Sequence, residues 1–295
     1  MMSPRVPSSA TTTPRDAFWR HFSMNASCSK SSIAPYDSHV SLRAAFFDVG
    51  DTLVDHWAPP EQLHELLREA LRREYGERAW YERWITGKVE PARTAEGDLA
   101  AIAAGEEEIF RQETLRWYED WFRNAAVGID DVEMDRLRSV MSVPLDLVST
   151  PVPGAFAALR WCKAKGLKVV LVTNTLSRGD DEAWEDWRRF GLADAIDGIV
   201  SSHSLGWQKP HRRIFERALE IAGAKPEEAV MVGDRMLADI WGAKRLGMRA
   251  VLRRTPHEQA AADVTPDAVI DDLTELPGVI APWLARPAAD ASRTR

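Results

Sequence analysis

The sequence predicts an α/β protein, a doubly wound parallel sheet with an all-helical insert after its first strand. Three observations predict it. Six short apolar runs are nearly continuous rather than alternating, which is how strands buried on both faces of a parallel sheet read. Helical segments closed by glycine separate the later runs, so strand and helix alternate. Between the first run and the second, from about Asp55 to Val148, there are helical patterns and no convincing strand.

The first run, Ala44-Ala45-Phe46-Phe47, ends abruptly in Asp48-Val49-Gly50-Asp51-Thr52. The insert follows, with apolar periodicity that predicts long helices over Gln62–Tyr75 and Leu99–Asn124. It holds five of the twelve tryptophans, Trp57, Trp80, Trp84, Trp117 and Trp121. Large aromatics dominate buried area, so these are read as the insert's own core rather than as a ligand cage. The alternation then resumes. A helix over Pro153–Lys165 is closed by Gly166, and the strand Leu167–Val172 runs into Thr173-Asn174. A helix over Asp180–Phe190 is closed by Gly191, and Ile199-Val200 precedes Ser201-Ser202. Pro210 opens a helix that runs through Ile221 and stops at Gly223, ahead of the strand Ala229–Val232 and Gly233-Asp234. Leu237–Leu246 stops at Gly247, and the strands Ala250–Leu252 and Ala268–Ile270 complete the set. Proline in the first turn and glycine just past the end follow the known asymmetry of helix ends.

Composition narrows the function. The 295 residues, 45% hydrophobic and 28% charged, suit a globular protein with a substantial core. A net charge of -7 leaves no basic excess to neutralise phosphates, which argues against nucleic acid as the main partner. No apolar run approaches the ~18 residues of a membrane span. Cys28 and Cys162 have neither metal-ligand spacing nor the numbers for a disulfide framework, and a reducing, cytoplasmic setting fits them. Residues 1 to about 40 are rich in Ser, Thr, Ala and Pro without periodicity and read as a disordered extension, with a transit peptide as the alternative. Arg286–Arg295 reads as a frayed tail.

In an open parallel sheet, ligands bind outside the carboxyl ends of the strands. The first strand presents Asp48 and Asp51 there, the second Thr173 and Asn174, and the fourth Asp234 with Asp239 five residues on. Lys209 stands just ahead of Pro210. Carboxylates gathered in one crevice repel unless a cation is present, and Mg²⁺ is the usual hard divalent partner. Lysine and threonine suit the anionic oxygens of a phosphoryl group. A carboxylate beside a metal can act as nucleophile and take the phosphoryl group, with lysine and metal offsetting the developing charge. Any one strand-end Asp or Thr alone would be read as a helix N-cap. Four such positions in order, with a lysine among them, argue against that reading.

The order Phe47-Asp48-Val49-Gly50-Asp51-Thr52-Leu53, then Val172-Thr173-Asn174, then Gln208-Lys209-Pro210 with Phe215, then Gly233-Asp234-Arg235-Met236-Leu237-Ala238-Asp239 resembles the four motifs of the haloacid dehalogenase (HAD) superfamily. The resemblance covers about residues 43–280, and the insert resembles the type C1 cap of subfamily I. It implies a Rossmann-like core formed by residues 41–55 and 149–285, with residues 56–148 as the cap. It also implies a Mg²⁺-dependent phosphatase that acts on a small phosphorylated metabolite through an aspartyl-phosphate intermediate. By the same resemblance Asp48 is the nucleophile and a metal ligand, and Thr173 binds the phosphoryl group. Lys209 steadies nucleophile and phosphate, and Asn174 adds a backbone or amide donor. Asp234 and the Gly50 carbonyl hold Mg²⁺, while Asp239 supports Lys209 and the metal's surroundings.

One position departs from the family. Its phosphatases read Asp-x-Asp-Gly-Thr, and here Gly50 and Asp51 fill the third and fourth places. The missing aspartate would protonate the leaving group and activate water, help worth ~10²–10⁴-fold. Asp51, His56 or His64 could take over, or the substrate could be an activated ester such as an acyl phosphate that needs little help. Two rival readings follow from Gly50: a metal-independent dehalogenase-like hydrolase, and a catalytically weakened protein that binds a phosphorylated ligand or a partner. Asp234 with Asp239 favours the phosphatase over the first. Intact Asp48, Lys209 and Asp234 favour catalysis over the second.

Overall fold

Both faces of the central strands are apolar, and successive residues divide between them. The computed structural model describes residues 40–55, 57–86, 95–113, 116, 118–120, 134–256 and 264–284. Strands follow as β1 (Ala44–Phe47), β2 (Val54–Asp55), β3 (Thr150–Pro151), β4 (Lys168–Thr173), β5 (Gly198–Ser201), β6 (Ala229–Gly233), β7 (Arg249–Arg253) and β8 (Ala268–Ile270). Ala45, Phe47, Val169, Leu171, Val230 and Val232 enter one core, and Ala44, Phe46, Val170, Val172, Ala229 and Met231 the other. Burial on two sides removes the polar alternate position, which explains the continuous apolar runs.

Six strands form one parallel sheet in the order β5-β4-β1-β6-β7-β8. In the insert run α1 (Pro60–Tyr75), α2 (Tyr81–Thr86), α3 (Ala95–Ala104) and α4 (Met134–Val140). The sheet is flanked by α5 (Ala155–Ala164), α6 (Asp180–Arg189), α7 (Arg212–Ala222) and α8 (Leu276–Ile280). Helices α5, α6 and α8 pack on one face, through Leu159, Trp187 and Ile280 among others. Helix α7 packs on the other through Ile214, Phe215, Ala218 and Leu219. The predicted α/β class and its six strands are therefore present.

The insert leaves and rejoins the sheet through a short antiparallel ribbon, in which Val54 pairs with Pro151 and Asp55 with Thr150. It has a core of its own, built from Leu67 and Leu71 of α1, Trp80, Tyr81 and Ile85, Tyr118, and Leu137 of α4. Trp80 meets Tyr81 edge-on at 4.8 Å. Trp57 does not join this core but packs against the sheet's core. The Trp84 side chain, Trp117 and Trp121 lie outside the described residues, as do His56, Cys28 and the two predicted terminal tails.

Three departures from the predicted helices bear on the site. The helix expected over Leu99–Asn124, in which residues 116 and 118–120 are helical, is interrupted after Ala104, where Gly105 takes a left-handed φ of 75°. A 3₁₀ turn over Glu107–Phe110 follows, and Arg111 then forms an antiparallel bridge with Trp207 of the core. Backbone pairing with a distant segment overrides the local periodicity there. The helix that Pro210 announces begins at Arg212, capped by His211, whose Nδ1 accepts from the Arg213 amide at 3.2 Å. Last, Met236–Trp241 is π-helical rather than α-helical, a form that recurs at functional sites.

Candidate active site

The sheet register assembles the site. Phe47 pairs with Leu171 on one side and Val232 on the other, so Asp48 emerges between the ends of β4 and β6. The amide of Asp48 donates to Val232 O at 2.9 Å and continues the ladder one residue past the strand. The chain then turns tightly: the amides of Thr52, Leu53 and Val54 all converge on Val49 O, and the Gly50 carbonyl accepts none of the three. Asp51 takes a φ of 60° in this turn, a conformation that costs a non-glycine residue and is tolerated best by Asp and Asn.

Lys209 is at the centre, 3% exposed, with its ammonium 2.6 Å from both Asp48 Oδ1 and Asp239 Oδ1. Its backbone is held by Asn174, whose Oδ1 accepts from Lys209 N at 2.8 Å and whose Nδ2 donates to Lys209 O at 3.1 Å. The following peptide, to Pro210, is cis. Asp239 is fully enclosed: its second oxygen accepts from the Arg235 amide at 2.9 Å. Gly233 makes room for it, since a methyl at that position would strike the Asp239 carboxyl carbon at 2.4 Å. Thr52 Oγ1 lies 3.5 Å from both Asp48 Oδ2 and Asp234 Oδ1, the outer limit of a hydrogen bond.

The electrostatics follow from burial. Desolvation pushes the Asp48 carboxyl up to about 6, against the lowering pull of Lys209. Burial and then the Asp48 charge hold Asp234 well above the usual carboxylate range. Desolvation opposes the charge on Lys209, but Asp239 and Asp48 together outweigh it and its proton is held more tightly than usual. Removing one partner of a buried pair costs ~3–5 kcal/mol because the other charge is left uncompensated. Lys209→Met is therefore expected to lower unfolding free energy by about that amount in urea at neutral pH. A loss below about 1 kcal/mol, the scale of exposed ion pairs, would show that the bridge is weak.

Asp48, Asp234 and Asp239 each offer a ligand atom within 4.8 Å of the others. Thr173, 6% exposed, closes β4 beside them. Asp51 is not one of this trio, though its charge also raises Asp234: its carboxylate accepts from Trp57 Nε1 at 3.1 Å and lies 3.6 Å from Arg235 Nη2, whose Nε lies 3.3 Å from Asp234 Oδ2. His64 sits on α1, within electrostatic reach of Glu82. Asn174 uses both atoms of its side-chain amide on Lys209, so its side chain positions that residue.

Sequence reasoning gave no site role to Thr52, Arg235, Trp57 or Gln112. Thr52 and Arg235 sit inside the matched motifs, and their adjacency to Asp51 and Asp234 was the available signal. Gln112 had none. It donates to Thr175 O at 2.7 Å and accepts from Gln208 Nε2 at 3.1 Å, joining the insert to the two loops that carry Asn174 and Lys209. Its amide reaches Gly206 O, and Gln208 N reaches Phe110 O.

Comparison with known proteins places the chain in a family. A glyceraldehyde 3-phosphate phosphatase of Methanothermobacter thermautotrophicus is 36% identical over 138 residues, which cover 44% of this chain and 58% of that enzyme. The chain thus spans a little over half the length of that relative. A 2-haloacid dehalogenase of Pseudomonas syringae pv. Tomato DC3000 superposes with a TM-score of 0.53 at 26% identity, over 82% of this chain and 99% of the dehalogenase. A HAD phosphatase of Thermococcus onnurineus does so with a TM-score of 0.52 at 22% identity, over 83% and 100%, which speaks to the fold alone. Residues 42–247, with the strand-end carboxylates and the bridging lysine among them, match the sequence model of the haloacid dehalogenase-like hydrolases, and the chain belongs to that family.

Proposed function

We propose that this chain is a Mg²⁺-dependent phosphatase that hydrolyses a small phosphorylated metabolite through an aspartyl phosphate on Asp48. The observation that carries this reading is the buried Lys209 bridge between Asp48 and Asp239, with Asp234 beside it. Asp234 Oδ2 is buried and accepts no hydrogen bond, its neighbour being Arg235 Nε at 3.3 Å. A buried oxygen in that state suits a hard cation. Asp48, Asp234 and the Gly50 carbonyl would hold Mg²⁺. Asp239, with both oxygens already engaged, would support Lys209 behind them. When bound, Mg²⁺ would offset the charge of the carboxylates and of the phosphoryl oxygens.

The chain's own residues do the rest. The Asp48 carboxylate attacks phosphorus; its O–P bond forms as the P–O bond to the leaving group breaks, and the leaving oxygen keeps the electron pair. Lys209 and Thr173 steady the phosphoryl oxygens. Water then attacks the same phosphorus, releasing phosphate and restoring Asp48. The insert covers the strand ends as a cap, and Gln112 ties it to the loops beneath. With glycine at position 50 no carboxylic acid protonates the leaving oxygen, so weakly basic leaving groups are favoured. Likeness to a phosphatase of a three-carbon phosphate supports the small-metabolite class.

The test is phosphate release from acetyl phosphate, p-nitrophenyl phosphate and sugar phosphates, with Mg²⁺ and with EDTA. Release abolished by EDTA supports the reading. EDTA-resistant halide release from 2-haloacids, with no phosphate release, would replace it with the dehalogenase-like alternative. A second outcome needs no substrate. With its carboxyl raised to about 6 in the metal-free site, Asp48 adds stability that is complete below its unfolded value, ~4, and is lost as pH rises through about 6. Mg²⁺ favours the ionised form, so it should raise Tm more at about pH 7.5 than at about pH 5. An equal or reversed Mg²⁺ effect would show that the cation binds elsewhere.

A further inference from the structure

We infer that the Trp57 indole forms the leaving-group wall of this site, and that the substrate is a phosphate ester of a flat, conjugated, weakly basic alcohol of the phenol or enol type. The inference rests on the phosphatase reading and deepens it. Gly50 stands two residues beyond Asp48, in the tight turn that follows β1, and bridges to Val54. A methyl built at Gly50 would meet Trp57 Cζ2 at 3.6 Å, an ordinary contact. The benzo edge of the indole thus bounds the space that an acid at position 50 would occupy.

The ring is fixed there. Its Nε1 donates to Asp51 Oδ1 at 3.1 Å, and it packs against the sheet's core while remaining partly exposed. The other Asp51 oxygen lies 3.6 Å from Arg235 Nη2, and the Asp51 carbonyl accepts from Arg253. Asp51 is therefore engaged from two sides, and the space beside Gly50 is bounded by an aromatic edge. A flat conjugated group packs its own face against such an edge in a T-shaped contact. Its oxyanion is also weakly basic, so it departs without a proton donor. Two features, the missing acid and the indole edge beside its position, select the same leaving group. A sugar or glycerol ester gains from neither, because its alkoxide needs protonation and its carbons are not planar.

The experiment compares kcat/KM for phenyl phosphate, p-nitrophenyl phosphate, glycerol 3-phosphate and acetyl phosphate in the full chain with Mg²⁺. Aryl esters are expected to exceed glycerol 3-phosphate by at least ~10²-fold. Trp57→Leu should lower the ratio of aryl to acetyl phosphate kcat/KM by roughly 3–10-fold, mainly through KM, and Trp57→Phe should largely keep it. Acetyl phosphate has no ring and reports the phosphoryl chemistry alone. If it is hydrolysed while the aryl ratio is unchanged in Trp57→Leu, or while glycerol 3-phosphate is preferred, the inference is overturned and the phosphatase reading stands. If no ester in the set is hydrolysed, both fall. Should Trp57→Leu fail to fold, product inhibition of the wild type decides: p-nitrophenol should inhibit acetyl phosphate hydrolysis competitively where glycerol does not, and equal inhibition would overturn the inference.

Discussion

Asp48→Asn is expected to lower Mg²⁺-dependent phosphate release by on the order of 10⁴-fold or more, since loss of a covalent nucleophile removes a working unit rather than one contact. The amide keeps the shape of the carboxylate but offers no anionic oxygen to phosphorus. The fold should survive the change. Lys209 retains Asp239 at 2.6 Å as its counter-charge, and Asp234, raised first by burial and then by the Asp48 charge, is relieved of that repulsion. The metal-free variant should therefore unfold in urea within about 1 kcal/mol of the parent, or be more stable than it. Activity and stability must be read together. Inactivity with an intact unfolding transition assigns the loss to chemistry; activity within tenfold of the parent would remove Asp48 from the nucleophile role.

Gly50→Asp is expected to raise turnover of alkyl phosphates by ~10²-fold or more, within the ~10²–10⁴-fold range that general acid–base help supplies. Aryl and acyl phosphates should gain much less, because their leaving oxygens need no proton. The backbone accommodates the change. Gly50 does not adopt a left-handed φ, unlike Asp51 beside it, and the nearest atom to a new Cβ is Trp57 Cζ2 at 3.6 Å. The new carboxyl would reach past the indole edge, so some aryl preference should be exchanged for alkyl activity. The slope of log kcat/KM against leaving-group pKa measures this directly: steep in the parent, shallow in the variant. Parallel slopes would show that protonation is not what the site lacks, and would turn attention to Asp51 as the resident acid.

Much of the architecture was legible in the residues. The strands were readable because burial on both faces leaves uninterrupted apolar runs, as in Ala44–Phe47 and Ala229–Val232, and period-2 division between the two cores confirms the cause. Glycines placed after periodic segments marked helix ends correctly where no other segment intervened. The Leu99–Asn124 pattern holds at residues 99–104, 116 and 118–120 and misled between them, because the peptides of residues 110–112 pair with residues 206–208, a contact whose partner is remote in sequence.

The division in the site is similar. Residue types and their order along the chain determined which carboxylates, lysine and threonine reach the strand ends, because a parallel sheet brings those ends to one edge whatever the loops do. Only the tertiary structure decided how each one is engaged. Asp239 has both oxygens occupied, Asn174 is spent on holding Lys209, and Asp51 is engaged by Trp57 and Arg235. Trp57 shows the reason most plainly. Its apolar bulk says that it will be buried, but burial energy has no direction. Which core receives it is set by the turn at residues 49–54, whose hydrogen bonds aim the chain across Gly50.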